Sequence, residues 1–360
     1  MKLKTKGIRS AALAMVLILS AAVGCQGNDG VREQSSSAGE TSAQSNAGTD
    51  SNMGTDGNMG NDGQTVAKDT VIAVSMPAAA EGWDYDAARS AGDYLASISS
   101  DTLGYVLLTA STAEEQSSQL DSLVGENIHA AVVYPVDESQ PLQGAANLKN
   151  SGVPVVEFNG ELSGITADAS VTMDEGILGR NAARSVEDAG CSGMDVLVFT
   201  NESDVREAER LERFERSLPS GISTVLAGTA CDTSNDARQA LTDWLGRQDA
   251  ESLADAGAVF ASGEDELLGV LEGLASYEAT YGTAFPNLKI IVGCGSSNEL
   301  LTWLKDNDAY SAQTWFYPSE AINTAIDLAW DITSGSVSED TIAVEAVSAD
   351  HDSAGSYMTD

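Results

Sequence analysis

Two acidic side chains, Asp232 and Glu264, follow apolar segments with the character of buried strands, residues 223–228 and 257–262. A carboxylate in such a position can accept hydrogen bonds from the hydroxyl groups of a small polar ligand. It can instead cap the helix that follows, because it accepts hydrogen bonds from the first free backbone N–H groups. Both interpretations place these residues at the carboxyl ends of strands, where α/β proteins bind ligands.

Catalytic motifs are absent from the sequence. It contains no G-x-S-x-G segment, P-loop or H-E-x-x-H motif, and GCGSSNE (293–299) has too few glycines for a dinucleotide-binding loop. Cys294 has no histidine in an evident arrangement with it. The cysteines show no C-x-x-C spacing and the chain has only 2 histidines, which argues against a zinc site. We therefore expect no enzyme activity, no catalytic residues, no cofactor and no metal.

From residue 70 onward, apolar strand-like segments alternate with amphipathic helix-like segments. TVIAVS (70–75) precedes the helical DYDAARSAGDYLASIS (84–99), for example, and GAVFAS (257–262) precedes EDELLGVLEGLASYEATY (264–281). Continuous apolar strands linked by such helices indicate parallel sheets that are covered on both faces. The units are too many for one sheet of ordinary size, so we predict an α/β protein with two doubly wound parallel-sheet lobes.

The order of these segments resembles the type I periplasmic binding proteins, in the branch that binds ribose, xylose and other monosaccharides. VIAVSMP (71–77) and NSGVPVVEFNGEL (150–162) resemble the first lobe, TMDEGILGRNAA (172–183) resembles the crossing between lobes, and KIIVGCGSSNELL (289–301) resembles the second lobe. The resemblance covers nearly all of residues 70–347. It implies two lobes, joined by three hinge crossings, that close on a sugar for an ABC importer.

The resemblance also implies which residues contact the ligand. Trp83 follows the first strand, where sugar-binding relatives often place an aromatic ring, and Asn159 takes the place of the family's sugar-binding aspartate. Arg210 matches the arginine of an R-x-x-G-F pattern, although Arg213 replaces its glycine. Phe316 lies in a hinge strand where relatives place a polar ligand contact. The predicted ligand-binding residues are Trp83, Asn159, Arg210, Asp232, Glu264 and Phe316.

Some of these residues have a purely structural alternative, and several family contacts are missing. Trp83 could pack on a lobe surface, and Arg210 belongs to a helix of alternating charges that mostly faces solvent. The arginine that usually follows the family aspartate is a glycine here. The other changed sugar-contact positions are Cys231, Gly263 and Cys294. The resemblance therefore predicts the fold and leaves the ligand's identity open.

The pattern of the first 24 residues predicts that the protein is exported from the cytoplasm. A basic head precedes an apolar run at residues 11–23 that is shorter than the roughly 20 residues of a membrane-spanning helix, which is typical of a secretory signal. The run ends in AVGC, which resembles a bacterial lipobox and predicts a lipidated Cys25. Residues 25–69 are then a lipid-bearing, flexible polar linker. We assign residues 70–170 and 316–338 to lobe I, and residues 171–315 and 339–360 to lobe II.

The charge of the chain restricts its partners. It has 55 acidic residues against 18 lysines and arginines, a net charge of −37. Residues 1–24 contain four basic residues and no acidic ones, so the remainder carries −41. Such a charge argues against nucleic acid as a partner. Within the cleft we predict Arg210 as the one cation, against Asp232 and Glu264, which favours a neutral sugar or polyol over an anion.

The sequence thus predicts an extracytoplasmic solute-binding lipoprotein. We expect a monomer on the outer face of the cell membrane, held there only by its lipid, that delivers a small neutral sugar to ABC permease subunits. One alternative is a receptor that reports the sugar to a chemoreceptor or signalling partner without transport. The other is a degenerate lobe pair that binds only protein.

Overall fold

Apolar segments form the strands of two sheets in the computed structural model, which describes residues 69–80, 82–336 and 340–358. The strands Ala130–Val133 (β3) and Ala256–Ala261 (β8) are buried at every position. Helices cover both faces of each sheet, so every side chain of a central strand meets apolar neighbours. The elements are numbered along the chain, and each sheet forms the centre of one lobe.

The first lobe contains a sheet of six parallel strands. Its elements are β1 (Thr70–Pro77), α1 (Gly82–Ile98), β2 (Leu103–Ala110), α2 (Ala113–Ser122), β3, α3 (Gln143–Asn150), β4 (Val155–Phe158), β5 (Ala169–Thr172), α10 (Ala321–Ser334) and β11 (Thr341–Ala343). The strand order is β11-β5-β4-β3-β1-β2, and every pair is parallel.

The second lobe repeats this arrangement. Its elements are α4 (Glu175–Asp188), β6 (Asp195–Phe199), α5 (Val205–Ser217), β7 (Ser223–Gly228), α6 (Ser234–Leu245), α7 (Ala250–Asp255), β8, α8 (Glu264–Tyr281), β9 (Ile290–Cys294), α9 (Asn298–Asp306), β10 (Ala312–Phe316), β12 (Val347–Asp350) and a 3₁₀ turn (Ala354–Ser356). The strand order is β12-β10-β9-β8-β6-β7, with β12 antiparallel to β10 and the other pairs parallel.

Within the described residues the chain passes between the lobes three times. The crossings follow β5, β10 and β11. The predicted fold class, two doubly wound lobes with three crossings, is therefore confirmed. The predicted signal segment, Cys25 and most of the linker lie outside the described residues.

The predicted lobe boundaries differ from the structure at three places. Those at 170/171 and 315/316 fall inside β5 and β10, which belong as whole strands to the first and the second sheet. The third lies near the end of the chain. The apolar run TIAVEAV (341–347) suggests a single strand in lobe II, but β11 pairs with β5 of the first sheet. The chain then crosses to the second sheet, where β12 pairs with β10. Residues 341–350 are thus divided between the lobes, because a hinge crossing separates β11 from β12.

Candidate functional site

A cavity of about 290 Å³ lies between the lobes, at the carboxyl ends of their strands. This volume is close to the lower end of the roughly 300–1,000 Å³ range of small-molecule sites. Five of the residues singled out from the sequence line it: Trp83, Asn159, Arg210, Glu264 and Phe316. The structure brings them together, and their role as ligand contacts stays a prediction.

Trp83 forms an aromatic wall of the cavity in the first turn of α1. Its ring stacks on Phe158 at a centroid distance of 6.2 Å, and Tyr134 meets it edge-on at 6.2 Å. The indole Nε1–H donates a 2.8 Å hydrogen bond to the backbone carbonyl of Tyr317 in the second hinge crossing. Packing and hydrogen bonding together hold the ring in one orientation, as a rigid flat surface requires.

Asn159 directly follows β4 and has a left-handed backbone, with φ of 46°. Asparagine tolerates this conformation better than other residues with a side chain, because its short amide can bond locally. The backbone N–H of Asn159 still pairs with Val171 of β5, at 2.9 Å. The chain therefore turns sharply at the sheet edge, where Asn159 lines the cavity.

Arg210 reaches the cavity from α5. Its Nε donates to Glu175 at 2.6 Å and its Nη1 donates to the backbone carbonyl of Ser262 at 2.9 Å. Burial opposes the charged guanidinium, but the negative charge of Glu175 and this hydrogen bond outweigh it, so the pKa of Arg210 is raised. The guanidinium is a fixed cation with its own counterion.

A glycine allows this ion pair to form. A Cβ on Gly179 in α4 would lie 2.0 Å from the backbone carbonyl oxygen of Arg210 in α5. Only the absence of a side chain lets the two helices approach this closely. The close approach places Glu175, at the start of α4, beside Arg210.

Glu264 lines the cavity, and one of its carboxylate oxygens is already engaged. Oε2 accepts hydrogen bonds from the backbone N–H groups of Ser296 and Ser297, both at 2.8 Å. The carboxylate thus joins the turn after β8 to the turn after β9. The interpretation as a cap of the following helix, α8, is wrong, because the carboxylate pairs with N–H groups just before α9. The residue lines the cavity, and its role as a ligand contact stays a prediction.

Two of the predicted residues are placed less favourably for contact with a ligand in the cavity. Phe316 is 5% exposed, and its ring packs edge-on against Tyr357 in the core of the second lobe. Asp232 does not line the cavity, and its role as a ligand contact stays a prediction. Its carboxylate accepts a 2.8 Å hydrogen bond from the side chain of Asn201, so it joins two exposed loops of the second lobe.

Several lining residues were not expected from the sequence, among them Glu175, Arg206, Trp315 and Tyr317. Arg206 corrects the expectation of one cation in the cleft. It stands four residues before Arg210 and so lies on the same face of α5. That spacing was visible in the sequence. The contribution of Glu175 was not, because it depends on the approach of α4 to α5.

Arg206 makes a direct contact across the cleft. Its Nη2 donates to the hydroxyl of Tyr134 in the first lobe at 3.3 Å, and that hydroxyl donates to Asp84 at 2.9 Å. Burial raises the pKa of Tyr134 above its usual range. The hydroxyl therefore keeps its proton and connects the two lobes.

Tyr317 connects two of the hinge crossings. Its hydroxyl donates to the backbone carbonyl of Asp174 at 2.7 Å and accepts from the backbone N–H of the same residue at 3.1 Å. Asp174 also begins α4, where its side chain accepts from Gly176. The helix that carries Glu175 is thus fixed at the point where the chain enters the second lobe.

Among residues 69–80, 82–336 and 340–358, no cluster of three or more His, Cys, Asp or Glu side chains is arranged to hold a metal ion. In the same part of the chain, no helix combines the length and the apolarity that crossing a bilayer requires.

Two parallel-sheet lobes with a small-molecule cavity at three hinge crossings define a two-lobed ligand-binding protein. The chain matches the family model of the periplasmic binding protein domain over residues 72–336. It belongs to this family, whose members bind ligands without catalysis.

Solved structures share the fold. A solute-binding protein from Bacillus halodurans C-125 with bound myo-inositol is 18% identical, with a TM-score of 0.60 over 81% of this chain and 98% of that one. The periplasmic component of the arabinose ABC transporter from Shewanella sp. ANA-3 is 14% identical, with a TM-score of 0.61 over 80% and 94%. A protein from Actinobacillus succinogenes 130z with bound D-allose is 15% identical, with a TM-score of 0.61 over 80% and 100%. A search among curated proteins found no match.

Proposed function

We propose that this protein is an extracytoplasmic solute-binding lipoprotein that captures a small neutral sugar or polyol and delivers it to an ABC permease. The observation that carries the proposal is a cavity between two lobes in which each charged group already has a protein partner beside an aromatic wall.

The charges of the cavity favour a ligand without net charge. Arg210 is paired with Glu175, and Glu264 is paired with two backbone N–H groups. Arg206 donates to the neutral hydroxyl of Tyr134, and the two arginines of the lining are equal in number to its two glutamates, Glu175 and Glu264. An anion would need an available cation or free helix N-termini, and a cation would need an available carboxylate. Hydroxyl groups need only hydrogen bonds, which these fixed charged groups can still donate and accept.

The shape and the aromatic wall favour a sugar ring. A cavity of about 290 Å³ suits a small ligand. The indole of Trp83 offers a flat apolar surface for the C–H face of a ring. Asn159 adds an amide that both donates and accepts. The relatives with bound D-allose and myo-inositol support a neutral, polyhydroxylated ligand for the same fold.

A ligand screen tests the proposal. Thermal shift of the purified protein should find stabilisation by a neutral monosaccharide or inositol and none by sugar phosphates or uronic acids. A ligand at a hundred times its Kd stabilises by about 2.7 kcal/mol, which shifts the midpoint by several degrees. Calorimetry should then give micromolar affinity, about −8 kcal/mol. Tight binding of a sugar phosphate would show that the ligand class is wrong.

A variant pair tests the aromatic wall. Trp83→Ala should weaken the best ligand by about 1–3 kcal/mol, the loss expected for an aromatic contact in a closed site. Trp330→Ala is the matched control, because Trp330 lies in α10 away from the cavity and is 38% exposed. Equal affinities for the two variants would mean that the ligand does not lie on Trp83.

Delivery to a permease is the further step. Loss of the protein should abolish uptake of the sugar identified above, whereas a receptor that only reports the ligand to a signalling partner would leave uptake intact. A lobe pair that binds only protein would give no stabilisation in the screen. Uptake of the labelled sugar by cells with and without the protein distinguishes transport from sensing.

A further inference from the structure

Two carboxyl groups lie together in the second lobe, behind the wall of the cavity. Glu207 belongs to α5, and Glu266 belongs to the first turn of α8. Glu266 is 1% exposed. A buried carboxylate is costly unless a hydrogen-bond donor or a cation accompanies it. Neither oxygen of Glu266 accepts a hydrogen bond within the described residues.

The two carboxyl groups face each other at Gly263. A Cβ at this glycine would lie 2.3 Å from Oε2 of Glu266 and 2.6 Å from Oε1 of Glu207. The other oxygen of Glu207 is engaged, because Oε2 accepts from the backbone N–H of Asn201 at 2.9 Å and from the hydroxyl of Ser262 at 2.8 Å. Oε1 of Glu207 therefore points toward a carboxyl group, that of Glu266, whose two oxygens have no hydrogen-bond partner within the described residues.

Two negative charges cannot both be held at this place, because like charges in a desolvated site repel strongly. Burial is the main cause that raises the pKa of Glu207. Burial, and then the negative charge of Glu207, raise the pKa of Glu266 further. A proton on Glu266 gives that side chain an O–H group, which can donate a hydrogen bond to Oε1 of Glu207.

The surrounding groups offer no alternative that would neutralise Glu266. Burial raises the pKa of Cys294 to about 12 and that of Cys231 to about 11, so both thiols stay neutral. The charged groups around the pair are Asp204 just before α5, Arg210 of α5, Glu175 of α4, Asp236 of α6 and Asp265 of α8. Arg210 is the cation among them, and it is already paired with Glu175.

We propose that Glu207 and Glu266 hold one proton between them and that this proton positions Arg210 at the cavity. The connection runs through Ser262, whose hydroxyl donates to Glu207 and whose carbonyl accepts from Arg210 at 2.9 Å. Loss of the proton places two charges against each other next to Gly263 and displaces this turn. The effect of the shared proton on ligand binding rests on the proposed function, whereas the existence of the proton does not.

The sign of the pH dependence follows from the raised pKa. The folded protein keeps a proton that the unfolded carboxyl group releases near its ordinary value of 4.5. Stability therefore decreases as the pH rises above that value, until the folded pair also loses its proton. A neutral amide at position 266 removes the part of this dependence that comes from the shared proton.

Unfolding by urea at about pH 5.5 and about pH 8.5 tests the shared proton without any ligand. The wild type should lose stability at the higher pH, and Glu266→Gln should lose markedly less. Glu272→Gln is the control on the same helix, since Glu272 is 36% exposed in an ion pair with Arg238, and it should follow the wild type. An equal loss in Glu266→Gln and wild type would overturn the proposal.

Infrared spectroscopy of the wild type covers the case in which Glu266→Gln fails to fold. A carbonyl band of a protonated carboxyl group should be present at neutral pH and should disappear on alkalinisation. In Glu207→Gln a neutral amide replaces the carboxyl partner of Glu266. This second variant is measured for the same carbonyl band. A neutral wild-type solution without this band would exclude a shared proton.

The position of Arg210 is tested by its Nε–H nuclear magnetic resonance signal, assigned by its loss in Arg210→Lys. The signal should shift between the two pH values in the wild type and stay in place in Glu266→Gln. A signal that does not move in the wild type would overturn the positioning role. This measurement also needs no ligand.

Calorimetry at both pH values then examines binding of the neutral sugar found in the screen. Affinity should fall at the higher pH, by at most about tenfold, if the ligand raises the pKa of the pair by one unit, and it should be constant in Glu266→Gln. Constant affinity in the wild type would contradict the link between the pair and the cavity. Absence of sugar binding at both pH values would overturn the proposed function alone. The infrared and resonance results decide separately whether the two carboxyl groups share a proton and whether that proton positions Arg210.

Discussion

Single residues of the cavity serve the fold and the site at once. Asn159 turns the chain at the end of β4 and presents an amide to the cavity. Arg210 supplies a fixed charge and also joins α5 to Glu175 and to the turn after β8. Substitutions at either position therefore change stability and affinity together, and the choice of variant decides whether the two effects can be separated.

Substitutions of Asn159 separate backbone strain from side-chain contact. Asn159→Ala should lower the free energy of unfolding by about 1 kcal/mol, because alanine in a left-handed conformation is strained. Asn159→Gly should cost less, because glycine adopts this conformation freely. Both variants should bind the sugar more weakly, since both lack the amide. Urea unfolding and calorimetry measure the two effects, and a glycine variant with full affinity would exclude Asn159 as a ligand contact.

The ion pair of Arg210 should contribute far more than a surface pair. Arg210→Gln should cost about 2–3 kcal/mol, as expected for a charged hydrogen bond whose partner is left buried, because the two side chains are 17% and 16% exposed. Arg216→Gln on the same helix should cost less than about 0.5 kcal/mol, because its pair with Glu212 is 69% and 58% exposed. Both pairs have the same 2.6 Å separation, so the difference between the two variants in denaturant unfolding reports burial together with the bond from Arg210 to the carbonyl of Ser262. Equal losses would contradict this reasoning.

At the scale of elements, the contact between α4 and α5 decides where the charges of the cavity stand. Gly179→Ala places a methyl group against the carbonyl of Arg210 and forces the helices apart. We expect a loss of about 1–3 kcal/mol, typical of overpacking, together with weaker sugar binding because Arg210 moves away from Glu175. Thermal unfolding and calorimetry measure the two effects.

Gly92→Ala is the control for this substitution. Gly92 lies within α1, where an added Cβ would meet Leu107 at an ordinary 3.5 Å. Alanine favours a helix over glycine by up to about 1 kcal/mol, so this variant should be as stable as the wild type or more stable. If Gly179→Ala behaved like Gly92→Ala, the helices would not be in the close contact described.

At the scale of the whole molecule, the sequence predicts attachment to a membrane through Cys25. A fatty-acid analogue should label the wild type, whereas Cys25→Ser should be exported without label, because the lipobox-like AVGC loses its acceptor thiol. Metabolic labelling followed by fractionation measures both properties. Equal labelling of the two proteins would exclude this cysteine as the lipidation site.

The sequence predicts most of the fold and part of the site. Alternating apolar runs and amphipathic helices are local patterns, so the lobes and most strands follow from them. The division of 341–347 between two sheets does not, because one charged residue within the run, Glu345, does not by itself indicate a hinge crossing. Residues after strand ends reach the cavity where their loops turn inward, as with Glu264. Asp232 also follows a strand, but the direction of its loop depends on the tertiary contact with Asn201.

The hydrogen bond from Arg206 to Tyr134 joins the lobes through protein atoms alone. Its free energy therefore favours the closed arrangement whether the cavity is empty or filled. When more of the free protein is already closed, the apparent affinity is higher. The factor of increase is the same for every ligand. The contact thus strengthens binding without distinguishing one sugar from another. Discrimination is left to the groups that meet the ligand itself, so the protein can change its overall affinity and its choice of sugar through separate residues.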